Sequence, residues 1–322
     1  MSIVPTDSID RTLLPSLFLT NSVPTTALQA DPRVSYAAYI PEPHYYPDTD
    51  SPSKLPLLIT IHGTHRDHLR YLDVWKPFAE RERCAILAPL FPAMLQGPLD
   101  IMGYHYLGRG DAGGAKGKSF KEKLLSGQVS VPNVKQSAKD VRHDLCLLVM
   151  LDEVALRWPG IDTSKVFLTG FSGGAQFVHR FLFLHPERLH AAAVAGLGEM
   201  TTLDASKPWP EGVEDVVDVF GKAVDFEILR SVPVLAAVGG DDGVSMGTQL
   251  RKAVMGKEDG GKKSALTRLE QMEMLAKGWR EEGMLVEEVV VPGVAHEMAK
   301  VHPAIEDFMT RKLQLWWEGK KS

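Results

Sequence analysis

The sequence predicts an α/β fold, in which helices flank a mostly parallel β-sheet. Three observations favour this class. Short, continuously apolar runs alternate with longer stretches of helical period, as in β-α-β units. The runs are apolar on both faces, which is expected where helices cover both sides of a sheet. Finally, 44% of the 322 residues are hydrophobic and 24% are charged, a composition that supplies a large core and excludes a disordered or fibrous chain.

Seven runs rich in β-branched and aliphatic residues are predicted as strands. They cover 34–40, 55–61, 84–91, 165–171, 191–197, 233–239 and 285–291. Five stretches with apolar residues at helical spacing are predicted as helices. They cover about 76–82, 140–157, 173–184, 264–279 and 303–317. Pro77 and Pro303 are expected in the first turn of their helices, where the missing N–H costs little.

Two segments are longer than a simple connection requires. Residues 93–138 are predicted as a long, glycine-rich loop insertion. Residues 199–231 combine a proline-containing turn with one amphipathic helix, which indicates a small lid over the sheet. Length alone is compatible with two domains. Because the candidate catalytic residues described below span most of the chain and no repeat or linker marks a boundary, we predict a single α/β domain over 1–322.

The charge and the cysteine content of the chain indicate which partners and which cellular compartment to expect. The 36 basic and 41 acidic residues leave a net charge of −5, which gives no indication of a polyanionic partner. We expect a small-molecule substrate and neither nucleic acid nor a membrane as partner; the oligomeric state stays open, with a homodimer as one alternative. Cys84 and Cys146 lie in apolar runs and are expected to be buried thiols. With no basic leader and no apolar run of about 18 residues, these features predict a cytoplasmic protein.

The motif that carries the chemistry lies in 165–174, KVFLTGFSGG. Gly170, Ser172 and Gly174 fit the pattern G-x-S-x-G at the junction of an apolar strand and a helical stretch. A nucleophilic serine needs a very tight strand-to-helix turn, and glycines two positions before and after it allow the chain to close. The turn also puts the serine at a helix N-terminus, where N–H groups and the helix dipole favour an oxyanion. A plain glycine turn is the alternative, but the flanking strand and helix favour a nucleophile elbow.

On these residues the chain resembles the α/β-hydrolase superfamily, over about residues 34–317. The resemblance implies an α/β-hydrolase fold and a catalytic triad in the chain order nucleophile, acid, histidine. It points to an acid in PVLAAVGGDDG, directly after a predicted strand. The family spacing selects Asp242, and Asp241, one residue out of register, is the alternative. A third reading is that both aspartates only cap a turn.

The resemblance places the histidine after the last predicted strand, at His296 in VVVPGVAHEM. His302 competes with it, although the following proline makes it look like a residue that leads a helix. Such a triad works because the histidine takes the proton of the serine and returns it to the leaving group, while the ionised acid orients the imidazole. The expected outcome is an acyl-enzyme on Ser172 that water hydrolyses.

The resemblance also nominates two oxyanion donors. One is the N–H of Gly173, directly after the nucleophile. The other is the N–H of Thr64, which follows a His62-Gly63 pair similar to the HG signature of the family. The chain lacks an HGGG run, which argues against close kinship with the hormone-sensitive-lipase branch.

No cofactor is predicted. His62, His65 and His68 are spaced three apart, unlike the H-E-x-x-H pattern of zinc enzymes, and no cysteine accompanies them. The segment GDAGGAKGKS resembles a phosphate-binding loop, but Ala112 stands where that loop needs its first glycine. We therefore expect neither a metal nor a nucleotide cofactor.

Together these residues predict a serine hydrolase that cleaves a carboxylic ester, a lactone or a thioester of a small apolar acyl compound. His65, Tyr104 and Trp209 are candidate pocket residues, because open α/β sheets place ligands at the strand C-termini. The alternative is that the aromatic residues pack under loops and that His65 is merely exposed. Two other functions stay open: a carbon–carbon bond hydrolase or lactonase of secondary metabolism with the same triad, and a non-catalytic ligand receptor on a hydrolase fold.

Overall fold

The computed structural model of the protein describes residues 22–41, 54–93, 103–107, 141–245 and 266–320, together with the single positions 5, 8 and 44. In this part of the chain a sheet of eight strands has the order β1-β2-β4-β3-β5-β6-β7-β8. The strands are β1 Ser22–Ala27, β2 Ser35–Tyr39, β3 Leu55–Ile61, β4 Ala85–Leu90, β5 Ile161–Phe171, β6 Leu189–Ala195, β7 Val234–Gly239 and β8 Val286–Val291.

The sheet confirms the predicted α/β class. Strands β3 to β8 run parallel to one another, and only β1 and β2 form antiparallel pairs. All seven predicted runs lie in it. Strand β1, SVPTTA, is not among the predicted strands, because this edge strand carries a proline and mostly exposed or half-buried side chains instead of an apolar run.

Helices cover both faces of the sheet. They are α1 His68–Glu82, α2 His143–Arg157, α3 Gly173–Leu184, α4 Val216–Phe220, α5 Phe226–Ser231, α6 Arg268–Glu281 and α7 Met298–Gly319, with short 3₁₀ turns at Gly103–Tyr106 and Pro186–Arg188. One core cluster joins the sheet to α2, α3 and α6, and a second joins its other face to α1 and α7. None of the helices in the described ranges combines the length and the apolar character of a membrane span.

Two predicted helix starts are wrong. Pro77 lies inside α1, which begins at His68, and Pro303 lies inside α7, which begins at Met298. An interior proline costs about 3 kcal/mol. In α1 the turns before Pro77 bury Tyr71, Leu72 and Trp75, and burial of such side chains contributes about 1.5–3 kcal/mol each, so burial outweighs the proline.

The two insertions differ in what the structure describes. Of 93–138, only residue 93 and the turn at 103–107 lie within the described residues, so the predicted loop lies mostly outside them. Segment 199–231 folds into tight turns and two short helices, α4 and α5, where one amphipathic helix was predicted. Trp209, Phe220 and Leu229 are its buried anchors, and they join the core cluster on the side of α3.

Candidate active site

Ser172 occupies the turn between β5 and α3. Its backbone has φ 59° and ψ −118°, a conformation that non-glycine residues rarely adopt. The Ser172 N–H donates to the carbonyl oxygen of Ala195 at 2.9 Å, and the Ser172 carbonyl accepts the N–H of Gln176 at 3.2 Å. The turn is therefore held in a strained form between the end of β5 and the N-terminus of α3.

Close backbone contacts explain why glycine stands two positions before and two positions after Ser172. A Cβ on Gly170 would overlap the backbone carbonyl of Gly174, and a Cβ on Gly174 would overlap the carbonyl oxygen of Ile61, the last residue of β3. These neighbours are backbone atoms, which cannot rotate aside as a side chain would. The G-x-S-x-G spacing thus lets α3 approach both β5 and β3 closely enough to form the elbow.

Asp242 and His296 meet beside this turn. His296 Nδ1 donates to Asp242 Oδ2 at 2.8 Å, and the carboxylate is fully buried while the imidazole is 30% exposed. With a proton on Nδ1, neutral His296 presents Nε2 as an acceptor. The imidazole stacks on the ring of Phe171, the residue before the serine, with centroids 4.6 Å apart. The structure thus brings an acid–histidine pair next to the elbow.

The two competing residues lie elsewhere. Asp241 is exposed, and its N–H donates to the carbonyl oxygen of Val294 at 2.9 Å. His302 lies in α7 against α1, where its ring contacts Trp75 with centroids 4.6 Å apart, and burial lowers its pKa. Neither side chain takes part in the contact between Asp242 and His296.

The two nominated oxyanion donors are neighbours. A Cβ built on Gly173 would lie 3.3 Å from the backbone nitrogen of Thr64 and 3.1 Å from its Oγ1, and one built on Gly63 would lie 3.8 Å from Ser172 Cβ. Neither the Thr64 N–H nor the Gly173 N–H donates to another described residue. Two N–H groups therefore remain available beside the serine, as an oxyanion hole requires.

Neutral, buried groups hold the Thr64 loop in place. His62 Nε2 accepts the N–H of Phe91 at 3.0 Å, and its Nδ1 lies 2.8 Å from the carbonyl oxygen of Gly63. This pattern fixes the tautomer with the proton on Nδ1. Burial lowers the pKa of His62 to about 3, so the ring is neutral at physiological pH. From the other side the hydroxyl of Tyr104 donates to the carbonyl oxygen of His62 at 3.1 Å.

The predicted pocket residues occupy different environments. Tyr104 and Trp209 are each 1% exposed: the first supports the Thr64 loop, and the indole N–H of the second donates to the carbonyl oxygen of Tyr106 at 3.2 Å. His65 is exposed beside Thr64. His68, the third of the histidines that are spaced three apart, forms a hydrogen bond with Thr25 Oγ1 at 2.8 Å and does not join His62 or His65.

Sequence reasoning missed Arg180, a buried residue of α3. Its Nε donates to Thr201 Oγ1 at 2.7 Å and its Nη1 to the carbonyl oxygen of His105 at 2.7 Å, while the guanidinium lies 4.8 Å from the ring centre of Tyr106. Arg180 thereby ties segment 199–231 and the 103–107 turn to the helix that begins at the elbow. Only the apolar spacing of α3 is visible in the sequence, and nothing in it marks Arg180 as a bonded interior residue.

Arg268 was missed as well. It is the first residue of α6, and its Nη1 donates to Asp242 Oδ1 at 3.2 Å, the oxygen that does not face His296. A sequence signal exists for the start of this helix, because Thr267 and Glu270 form a capping box. No pattern connects the first side chain of the helix with a carboxylate 26 positions earlier.

Solved structures of hydrolases share the fold of this chain. Poly(aspartic acid) hydrolase-1 from Sphingomonas sp. KT-1 is similar at TM-score 0.57 and 19% identity, over 85% of this chain and 92% of that one. A poly(3-hydroxybutyrate) depolymerase from Bordetella parapertussis gives 0.56 and 19%, over 89% and 84%. An S-formylglutathione hydrolase from Agrobacterium tumefaciens gives 0.52 and 10%, over 87% and 89%.

At these identities the similarity concerns the fold, and it confirms the predicted α/β-hydrolase fold. No family model matches the sequence. No curated protein matches it either.

Proposed function

We propose that the protein is a serine hydrolase that cleaves a carboxylic ester, a thioester or a lactone of a small apolar acyl compound through an acyl-enzyme on Ser172. One observation carries this proposal: a strained serine at a helix N-terminus lies beside two available N–H groups and beside a hydrogen-bonded pair of the buried Asp242 and the partly exposed His296. The similarity in fold to proteins named as hydrolases supports the same reaction class.

In the proposed first step, Ser172 Oγ attacks the carbonyl carbon of the substrate and its proton passes to His296 Nε2. The carbonyl π-electrons move onto oxygen, and the N–H groups of Thr64 and Gly173 donate to the resulting oxyanion. Loss of one such donor typically costs about 10²- to 10³-fold in rate. Because the backbone supplies both donors, substitution of the Thr64 side chain leaves them in place.

The tetrahedral intermediate then collapses. The carbonyl re-forms, the bond to the leaving group breaks, and His296 returns the proton to that group. Asp242 remains ionised throughout and stabilises the imidazolium through Nδ1. Water, deprotonated by the same imidazole, repeats the sequence on the acyl-enzyme and releases the acid and the free serine.

The test combines covalent labelling with turnover. A fluorophosphonate probe should modify the wild-type protein on Ser172, as located by mass spectrometry of the labelled peptide, and Ser172→Ala should lose the label. Hydrolysis of p-nitrophenyl esters should fall by about 10³-fold or more in the same variant. Ser164→Ala is a matched control, because Ser164 is an exposed serine bonded to Asp162 and should keep wild-type labelling.

Labelling at another residue, or full turnover by Ser172→Ala, would contradict the mechanism. A series of p-nitrophenyl acyl chain lengths alongside lactones identifies the substrate class. A ligand receptor, by contrast, would show neither labelling nor turnover and would keep its biological activity in the alanine variant.

We also infer a reducing compartment such as the cytoplasm. Cys84 and Cys146, which were expected to be buried thiols, are both free and buried. Fractionation of the native cell, followed by detection of the protein, tests the inference. Recovery from an oxidising, extracytoplasmic fraction would contradict it.

A further inference from the structure

The loop that carries the acid rests on the N-terminus of α6. The N–H of Arg268 donates to the carbonyl oxygen of Gly243 at 3.0 Å, and the N–H of Leu269 donates to that of Asp242 at 3.4 Å. Thr267 caps the helix through its bond with Glu270. The position of α6 along the acid loop is therefore fixed by the backbone carbonyl groups of Asp242 and of the residue after it.

The side chain of Arg268 completes this contact. Its Nη1 lies 3.2 Å from Asp242 Oδ1 and 3.4 Å from the carbonyl oxygen of Gly243. The residue is 9% exposed, and its Nε–H has no hydrogen-bond partner among the described residues. Burial lowers the pKa of Arg268, an effect that Asp242 opposes. Burying a guanidinium with one unmatched donor costs free energy. The contacts that Arg268 gains in return are the one to Asp242 and the longer one to the carbonyl oxygen of Gly243.

We propose that Arg268 is a positioning residue for the catalytic acid, which holds Asp242 Oδ1 so that Oδ2 faces His296. The inference rests on the proposed function, since it assigns a task to a residue that touches neither the substrate nor the serine. A carboxylate can rotate about its Cβ–Cγ bond. With Nη1 bound to one oxygen and Nδ1 of His296 to the other, a single orientation satisfies both donors.

The charge of Arg268 has a second, opposing effect. It partly offsets the charge of Asp242, and so makes the carboxylate less able to stabilise a protonated imidazole. Removal of the cation should let the protonated form of the histidine persist to higher pH. Because the proposed base must be neutral to take the serine proton, the acidic limb of the profile of kcat/KM against pH should then move upward.

The other charged groups around Asp242 and His296 are the same in the wild-type chain and in every variant of Arg268. Asp241, on the acid loop, is exposed. Glu297 follows the histidine and pairs with Lys300 of α7 at 2.9 Å. Arg268 itself comes from α6. Of these groups only Arg268 donates to a carboxylate oxygen of Asp242.

The experiment compares Arg268→Met, Arg268→Lys and Arg268→Gln with the wild-type chain in ester hydrolysis and in labelling of Ser172 across pH. Methionine removes both charge and donor, lysine keeps the charge without the planar fork, and glutamine keeps a donor without the charge. Arg280→Met is the matched control, because Arg280 is an exposed residue of the same helix that pairs with Glu288 at 2.7 Å, on the β8 side.

For Arg268→Met we expect kcat to fall about 10- to 100-fold with KM unchanged, because the acid is misplaced but the substrate contacts stay. The acidic limb should rise by about 0.5 to 1 pH unit. Arg268→Lys should keep the limb at the wild-type pH and lose less in kcat. Arg280→Met should match the wild type in both readouts.

A folded Arg268→Met enzyme with wild-type kcat and an unmoved limb would overturn the proposal. If that variant fails to fold, the same measurements are made on Arg268→Gln. Glutamine is neutral, so the acidic limb of the profile of kcat/KM against pH must move if the charge of Arg268 acts on Asp242 and His296. Failure of the proposed function gives a different result, because the wild-type chain would then lack labelling at Ser172 whatever residue stands at 268.

Discussion

The site is assembled from two halves that are held by different forces. The steric half, which holds the proposed nucleophile and oxyanion donors on β3, β5 and α3, is fixed by close backbone packing and by neutral groups, including His62 and Tyr104. The charged half, which holds the proposed acid and base at the ends of β7 and β8, is fixed by charges, since Asp242 lies between Arg268 and His296. Sterics should therefore govern the first half and electrostatics the second, and each half should fail under a different perturbation.

The largest effect is expected from the charged half. Asp242→Asn should lower kcat by about 10³- to 10⁴-fold, because an amide cannot hold the imidazole in the tautomer that accepts the serine proton. Asp241→Asn is the control and should stay within about twofold of wild type, because Asp241 is exposed and does not bond the histidine. Steady-state hydrolysis of a p-nitrophenyl ester measures both. Retained turnover in Asp242→Asn, with loss in Asp241→Asn, would reverse the assignment.

The steric half should break when a methyl group is added. In Gly174→Ala the new Cβ would overlap the carbonyl oxygen of Ile61, so α3 must move away from β3 and carry the serine with it. We expect the free energy of unfolding to fall by about 1–3 kcal/mol and kcat by about 10²-fold. Urea unfolding and ester hydrolysis give the two numbers.

Gly278→Ala supplies the comparison for that substitution. Gly278 lies within α6, and a Cβ there would meet no atom within 4 Å. The same chemical change should stabilise the protein by about 0.5–1 kcal/mol through helix propensity, with kcat unchanged. If Gly174→Ala behaved like Gly278→Ala, close packing at the elbow would not be what fixes the serine.

A smaller effect refines the contrast between the halves. The burial of His62 lowers its pKa to about 3 in the folded state, against about 6.5 for an unfolded histidine. Its contribution to stability is therefore complete above about pH 6.5 and is lost as the pH falls toward 3. Between pH 7.5 and 5.5 this histidine alone should lower the free energy of unfolding by about 1.4 kcal/mol. In the steric half, a lower pH should reduce the free energy of unfolding, whereas in the charged half it should reduce the rate of ester hydrolysis.

Urea unfolding at the two pH values checks this effect in His62→Gln. Its loss of stability between them should be smaller than the wild-type loss by about 1.4 kcal/mol. His65→Gln should keep the wild-type difference, because His65 is exposed. An unaltered difference in His62→Gln would mean that His62 carries a proton in the folded state as well.

The same contrast explains how far the sequence could be used to predict the structure. The elbow is a local feature, so its glycines, the strand before it and the helix after it are all visible in KVFLTGFSGG. The strands of the core are visible for the same reason, since burial on two faces requires continuous apolar runs.

Contacts between distant segments are not visible in this way. The choice between Asp241 and Asp242 depended on a family spacing, and the structure places only the second against His296. Arg180 and Arg268 look like ordinary charged residues of helices, and their partners Thr201 and Asp242 lie 21 and 26 positions away. Polar groups buried by tertiary contact leave no periodic signal, which is why both arginines were missed.

The backbone conformation of Ser172 also has a cost in stability. Glycine adopts its φ of 59° and ψ of −118° without strain, whereas serine is strained there by about 1–3 kcal/mol. Glycine at this position would relieve that strain and would also remove the proposed nucleophile. On the proposed function, position 172 is therefore a place where the protein gives up stability for reactivity.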